Sequence, residues 1–285
     1  VTDTTLTLVT GGAGFIGSHL LTRLVAGGGR VISLDNYFTG SRDTQVPGVE
    51  YREGHTKDIA VFVPETPDLI YHLGEYSRTE RSLAEPARVF DLNLAGTIGV
   101  LEFSRAKKCK LVYAGSSTKF ADGGLGRDQS PYAWSKAVNT ELVRNYGAWY
   151  GLSYAITYFY NVYGPGERAG AYGTVIEIFR QKRRAGEPLS VTAPGTQTRN
   201  FTHIDDIIEG LVRVGEQGEG DDYGIGDERA YTIKEVAELF GGEVRMGPPA
   251  PGNRFASVID TSKTRALGWK SSRNLASYIR ESLAV

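Results

Sequence analysis

Cysteine is nearly absent: Cys109 is alone among 285 residues. One thiol excludes a disulfide framework within the chain and any zinc site built on cysteine. Cys109 lies at the mouth of an expected strand, where a small thiol serves as buried packing and not as a reagent. Histidine is scarce too. His19, His55, His72 and His203 show no metal-ligand spacing, so no metal is expected. His72 reads as a core histidine on a strand, and His203, ahead of Ile204-Asp205-Asp206, as a helix starter. No apolar run reaches the ~18 residues of a membrane span, and the first ten residues lack the basic start and cleavage site of an export signal. The formal net charge of −1 leaves no basic surplus for nucleic acid or anionic lipid. Internal repeats and low-complexity segments are missing. These absences lead to the expectation of a cytoplasmic protein that engages neither nucleic acid nor membrane.

What is present is an ordinary globular composition, 40% hydrophobic and 23% charged, with 36 glycines for the turns of a loop-rich fold. The length suits one large domain, or a nucleotide-binding domain with a smaller lobe. Short apolar strands are expected at 6–10, 30–34, 69–73, 110–114 and 154–158. Helices are expected at 15–26, about 87–107 and 131–150. This alternation predicts an α/β fold with a parallel sheet covered on both faces. After Gly164 the alternation loosens, with helices expected at 173–185, 204–214, 232–240 and 274–283 and a surface loop at 241–254.

The first motif is Thr10-Gly11-Gly12-Ala13-Gly14-Phe15-Ile16-Gly17. Gly11 permits a tight turn, Gly14 lets backbone approach a pyrophosphate at a helix N-terminus, and Gly17 allows close helix–sheet packing. A strand precedes the motif, a helix follows it, and Asp35 stands about 20 positions on, as dinucleotide binding requires. The Asp35 carboxylate can accept both ribose hydroxyls of NAD and repels the 2′-phosphate of NADP. Asp58 stands between two readings, a holder of the adenine amino group and a solvated loop aspartate.

The second motif is Tyr132 and Lys136, a Y-x-x-x-K pair. Ser130 is a natural N-cap and Pro131 is at home in the first turn, so Tyr132 begins a helix and Lys136 shares its face. Tyrosine ordinarily titrates near pH ~10; a nearby ammonium and a positive nicotinamide ring would lower that toward a working base. Ser116-Ser117-Thr118 close the preceding strand and can offer a hydroxyl to a reacting sugar oxygen.

Taken together with Leu34-Asp35-Asn36, Tyr71-His72-Leu73-Gly74, Asn161-Val162-Tyr163-Gly164-Pro165-Gly166 and Arg199-Asn200-Phe201-Thr202-His203-Ile204-Asp205-Asp206, these motifs occur in the order typical of the extended short-chain dehydrogenase/reductases. The chain resembles their NAD-dependent nucleotide-sugar epimerase/dehydratase group over residues 6 to 270. The resemblance implies a Rossmann domain over 1–165 and a smaller α/β sugar-nucleotide lobe over 166–285, with about 200–227 returning to the Rossmann part. It also implies tightly held NAD and a homodimer packed through helices. By the same likeness, Tyr132 is the base, Lys136 its activator and Ser116, counted back from Phe120, the sugar-hydroxyl ligand. Phe15, Ile16, Asn36, Leu73 and Gly74 join the cofactor contacts. Ser117 and Thr118 face the sugar, and Asn161 and Arg199 hold the diphosphate, a task suited to the arginine fork.

The chain departs from the group's pattern at several places. Tyr158 and Asn200 replace an arginine and an aspartate, and a late phosphate motif is altered at Ala250–Arg254. Only 15 residues, 117–131, separate Ser116 from Tyr132. The charged run Glu75-Tyr76-Ser77-Arg78-Thr79-Glu80-Arg81 stands where Arg78 either reads a sugar substituent or lies in a solvated loop, and where Glu75 or Glu80, if the run folds over the sugar, could supply the acid of a dehydratase. The group's dehydratases carry Asp-Glu where this chain has Ser117-Thr118. A 4-epimerase, on a UDP-sugar, is therefore expected ahead of a 4,6-dehydratase or decarboxylase. From another class comes a non-catalytic dinucleotide-binding regulator; such proteins often lose the Tyr–Lys pair, which this chain keeps.

Overall fold

The structure is a computed structural model that describes residues 5–118, 126–170, 173–249 and 259–284. In chain order, its first half runs β1 (Leu6–Thr10), α1 (Phe15–Ala26), β2 (Arg30–Asp35), β3 (Val49–Glu53), α2 (Ile59–Phe62), β4 (Leu69–His72), α3 (Thr79–Ser82), α4 (Pro86–Phe90), α5 (Gly96–Lys107), β5 (Lys110–Ser116), α6 (Pro131–Tyr150) and β6 (Tyr154–Phe159). The second half runs β7 (Val162–Tyr163), α7 (Val175–Arg184), β8 (Leu189–Thr192), β9 (Thr198–Asn200), β10 (Thr202–His203), α8 (Ile204–Gln217), β11 (Gly220–Ile225), β12 (Ala230–Thr232), α9 (Ile233–Phe240), β13 (Val244–Gly247), α10 (Ser262–Ala266) and α11 (Leu275–Leu283).

Seven strands make one parallel sheet in the order β11-β6-β5-β4-β1-β2-β3. Because strand side chains alternate, each strand feeds two cores. Leu8, Ile32, Ile70, Leu111 and Ile156 pack on one face; Val9, Val31, Tyr71, Val112 and Ala155 pack on the other. Helices close both faces, as the unbroken apolar strands require. A third cluster, including Phe179, Val191, Phe201, Val236 and Ile279, joins α7, β8, α9 and α11. Strand order reverses between β1 and β4, and the loops at the carboxyl ends of these strands open a crevice, the usual ligand position in such sheets.

The expected helix over 87–107 is interrupted: α4 and α5 are joined by a π-helical turn at Asp91–Ala95. That turn aims the buried Asn93 at the loop after β4. Its carboxamide accepts from Tyr76 N at 2.7 Å and donates to Tyr76 O at 3.2 Å and Ser135 Oγ at 3.0 Å. The loop expected at 241–254 contains a strand, since β13 pairs in parallel with β8 from Val244↔Leu189 onward. Exposed Val244 and Met246 give no alternation there; backbone pairing with β8 makes the strand. β11 likewise lacks a strand-like sequence, GDDYGI, and enters the main sheet by pairing with β6. Cys109 is buried, and burial raises its thiol above the ordinary value.

Candidate active site

Directly after β1 the chain turns at Gly11, in the left-handed region at φ +74°, and Gly14 caps the start of α1. A Cβ on Gly11 would lie 2.7 Å from Gly74 Cα, and one on Gly17 would lie 2.1 Å from Gly11 O. The turn is thus packed backbone to backbone, leaving the N-terminus of α1 open to an anion. Asp35 ends β2, buried, with Oδ2 accepting from Ala13 N at 2.9 Å and Oδ1 from Tyr37 N at 2.7 Å. Burial raises its carboxyl above the ordinary value, against the pull of the Tyr37 and Ala13 N–H groups. A carboxylate has about four lone-pair positions, so both oxygens can still accept from ribose hydroxyls.

A cavity of about 600 Å³ runs from this turn to the ends of β5 and β6. Its nucleotide end is lined by Gly11, Gly14, Phe15, Ile16, Gly17, Asp35, Asn36, Leu73 and Gly74. Ser116, Ser117, Thr118, Tyr132 and Lys136 line the other end, together with Arg78 and Asn161. Asp58 is exposed and outside the lining, and Thr56 stands for that turn in the wall. Arg199 also lies outside the lining, its guanidinium donating to Thr198 O at 2.7 Å. Phe120 and Ala250–Arg254 fall outside the described residues.

At the catalytic end, Ser130 caps α6 by accepting from Ala133 N at 3.1 Å, which sets Tyr132 in the first turn. The Tyr132 phenol donates to Ser116 Oγ at 3.2 Å. Ser116 Oγ also accepts from Thr118 N at 3.3 Å and lies 2.9 Å from Thr118 Oγ1. Lys136 turns inward from the same helix face. Its ammonium bonds the carboxylate of Glu75 and the carbonyl of Ala114, and sits 4.7 Å from the centre of the Tyr113 ring.

Sequence reasoning assigned no partner to Lys136, and Glu75 is that partner. It lines the cavity, and its side chain is 3% exposed. Oε1 accepts from Asn139 Nδ2 at 2.7 Å, Thr97 Oγ1 at 2.8 Å and Tyr113 OH at 3.2 Å. Burial raises the carboxyl, but the Lys136 charge and the hydrogen bonds outweigh it and hold it below the usual range. Asn139, one turn beyond Lys136 on α6, carried a usable signal in that spacing; sequence position marks Glu75, with Glu80, only as a nearby acid for dehydratase chemistry, not as the partner of Lys136.

His72 is the core histidine expected. It is fully buried, 2.7 Å from Thr10 Oγ1 and 3.0 Å from Thr97 Oγ1, and burial lowers it to about 4, so it stays neutral. Thr97 donates to Glu75 and so accepts from His72 Nε2–H; Thr10 accepts from Gly74 N at 3.1 Å and donates to Nδ1. His203 starts α8 as expected, its Nδ1 accepting from Asp205 N at 3.2 Å.

Glu167 is the second residue missed. It lines the cavity, 8% exposed, and accepts from Thr174 N at 3.0 Å. Burial raises its carboxyl to about 7, with the hydrogen bonds of Thr174 and the charge of Arg78 pulling the other way. No periodicity or motif marks it, because it sits in the loop after β7.

Residues 7–226 match the model of the NAD dependent epimerase/dehydratase family, and the chain belongs to that family. The UDP-glucuronic acid decarboxylase 6 of Arabidopsis thaliana is 30% identical, the match covering 92% of this chain and 83% of that one. Among solved structures, the UDP-glucose 4-epimerase of Thermus thermophilus, in complex with NAD, superposes with a TM-score of 0.91. It is 29% identical, with 98% of each chain covered. A dTDP-glucose 4,6-dehydratase of Streptomyces venezuelae, with NAD bound, has a TM-score of 0.88 and 26% identity, with 98% of this chain and 96% of that one covered. The family is NAD-dependent, and its members are epimerases, dehydratases and decarboxylases acting on nucleotide sugars. Among the described residues no helix is long and apolar enough to cross a membrane.

Proposed function

We propose that the protein is an NAD-dependent nucleotide-sugar 4-epimerase with a UDP-sugar as substrate. The observation that carries this reading is the meeting of Tyr132 and Ser116, 3.2 Å apart, in a cavity whose far end is the Gly11–Gly17 turn and Asp35. The packed glycine turn and the acceptor capacity of Asp35 fit a dinucleotide. Gly14, Phe15, Ile16, Gly17, Asn36, Leu73, Gly74 and Lys136 would complete the hold on it. NAD, when bound, supplies the acceptor for a hydride from sugar C4 and the source of its return.

The work of the chain's own residues is proton transfer and orientation. Tyr132 takes the proton of the C4 hydroxyl, and Ser116 holds that oxygen in line. The 4-keto sugar then turns its other face, and Tyr132 returns the proton. Asn161 and Arg199 are assigned to the diphosphate. Asn161 is on the wall, and Arg199 serves a diphosphate that extends beyond the cavity's rim. Epimerisation asks for one base and no further acid, and Ser117 and Thr118 are poor proton donors and acceptors near neutrality. We further assign residues 1–165 to nucleotide binding and 166–285 mainly to the sugar, with the return of β11 to the main sheet in support. A cytoplasmic homodimer completes the proposal.

A second reading, a lyase, draws on Glu167. A carboxyl held near neutrality in the cavity wall is the acid that elimination of water requires, and Arg78 beside it suits a sugar carboxylate. One experiment separates the readings. The protein is incubated with UDP-glucose, UDP-GlcNAc, UDP-glucuronic acid and their GDP and dTDP counterparts, and the products are read by mass spectrometry and NMR. An isomer of unchanged mass is expected. Loss of water or of carbon dioxide overturns the epimerase reading.

A further inference from the structure

We propose that Glu75 is a positioning residue of the acid–base pair: its carboxylate fixes the Lys136 ammonium and offsets that ammonium's charge at Tyr132. The inference rests on Tyr132 and Lys136 being that pair. It concerns the charge beneath them, which no motif of the family assigned.

The geometry leaves the Glu75 carboxylate little freedom. One oxygen bonds Lys136, and the other collects Asn139, Thr97 and Tyr113. The backbone on either side is held as well, with Gly74 N on Thr10 Oγ1 and the Tyr76 peptide on Asn93. Asn139 also donates to Asn93 O at 2.9 Å and Thr97 Oγ1 at 3.0 Å, so α6 and the π-helical turn grip the same group. A partner this constrained places an ammonium better than a carbonyl alone does. A side chain on a flexible four-carbon stem gains most from such a socket.

The electrostatic consequence follows from sign. Lys136 stands one turn after Tyr132 on α6, with both residues in the cavity wall, and a positive charge placed there favours the phenolate. A carboxylate paired to that ammonium returns part of the effect, because its field opposes the ammonium's at the phenol. The charged and titratable groups facing Glu75 are Lys136 from α6, His72 from β4 and Tyr113 from β5. His72 is neutral and Tyr113 is protonated by burial, so Lys136 is the one cation Glu75 balances among the described residues. The hydroxyl chain Thr97–His72–Thr10 then ties this balance to the backbone against which the Gly11 turn packs.

The test uses the Glu75→Gln and Glu75→Asp variants of the full chain. Tyrosinate formation is followed at 295 nm, with Tyr132→Phe protein in the same background subtracted. In the Gln variant the Tyr132 titration is expected to move down by roughly one pH unit. The Asp variant keeps the charge and should titrate where the wild type does. The acidic limb of the hydride-transfer rate, read as NADH absorbance after mixing with nucleotide sugars, should shift the same way. A purely structural Glu75 would lower rates without moving either titration. An unmoved titration in the Gln variant, or equal displacement in both variants, overturns the proposal. Should the Gln variant not fold, Glu75→Met, which also removes the charge, takes its place: a downward displacement supports the proposal and an unmoved titration overturns it. Hydride transfer from no nucleotide sugar in the wild type would instead defeat the proposed function, while the tyrosinate titration still judges Glu75.

Discussion

Tyr132, in the first turn of α6, donates its phenol hydrogen to Ser116 Oγ, at the last residue of β5, across 3.2 Å. The Ser116 oxygen accepts from Thr118 N as well, so its own hydrogen is directed at Thr118 Oγ1. A substrate hydroxyl entering here can replace the Tyr132–Ser116 bond with one bond to each residue. Tyr132→Phe keeps the ring and removes the acid–base hydroxyl. Turnover should fall by about 100-fold or more, with NAD still bound, as shown by assaying activity and released nucleotide on the same sample. A near wild-type rate would exclude Tyr132 as the base.

Cofactor choice rests on Asp35. Its carboxylate lines the cavity, held by two backbone N–H groups, and on the proposed cofactor site it would meet the 2′-phosphate of NADP. NAD should bind at least about ten-fold more tightly than NADP, a difference of about 1.4 kcal/mol or more. Asp35→Asn should narrow the gap. Calorimetry on nucleotide-free protein measures both, and equal affinities in the wild type would remove Asp35 from this role.

Gly17 is required by contact. A methyl group there would press on Gly11 O, a backbone atom that cannot swing aside. Gly17→Ala should cost about 1–3 kcal/mol of stability, as overpacking does, and weaken NAD binding through the displaced turn. Urea melts and calorimetry check the two effects, and an unchanged melt would mean that α1 can shift without cost.

Glu167 makes stability depend on pH in a stated direction. Its folded-state value, about 7, lies above the ordinary 4.5. Between those values the unfolded chain releases a proton that the folded chain keeps. Stability therefore falls as pH rises through this window, by up to about 3 kcal/mol. Glu167→Gln should flatten that part of the curve and be relatively more stable at pH 8 than at pH 5. Urea melts at several pH values give the slope. An equal slope in both proteins would place the titration elsewhere.

The sequence determined the parallel sheet through its apolar runs, the glycine turn through its position between strand and helix, and the Ser130-capped start of α6 that carries Tyr132 and Lys136. Each of these depends on residues within one or two turns of chain, where periodicity, capping and backbone freedom act directly. Tertiary structure alone decided the rest. GDDYGI and VRMG became strands because neighbouring strands offered them hydrogen-bond partners. Asp58 stayed in solvent and Arg199 outside the wall because the turn carrying the one and the strand β9 carrying the other pack that way. Glu75 was a nearby acid in a charged run until β4, the π-helical turn and α6 enclosed it, 61 positions from Lys136. Glu167 was a loop residue until burial raised its proton affinity. Burial and pairing at long range belong to the assembled chain, and no local pattern encodes them.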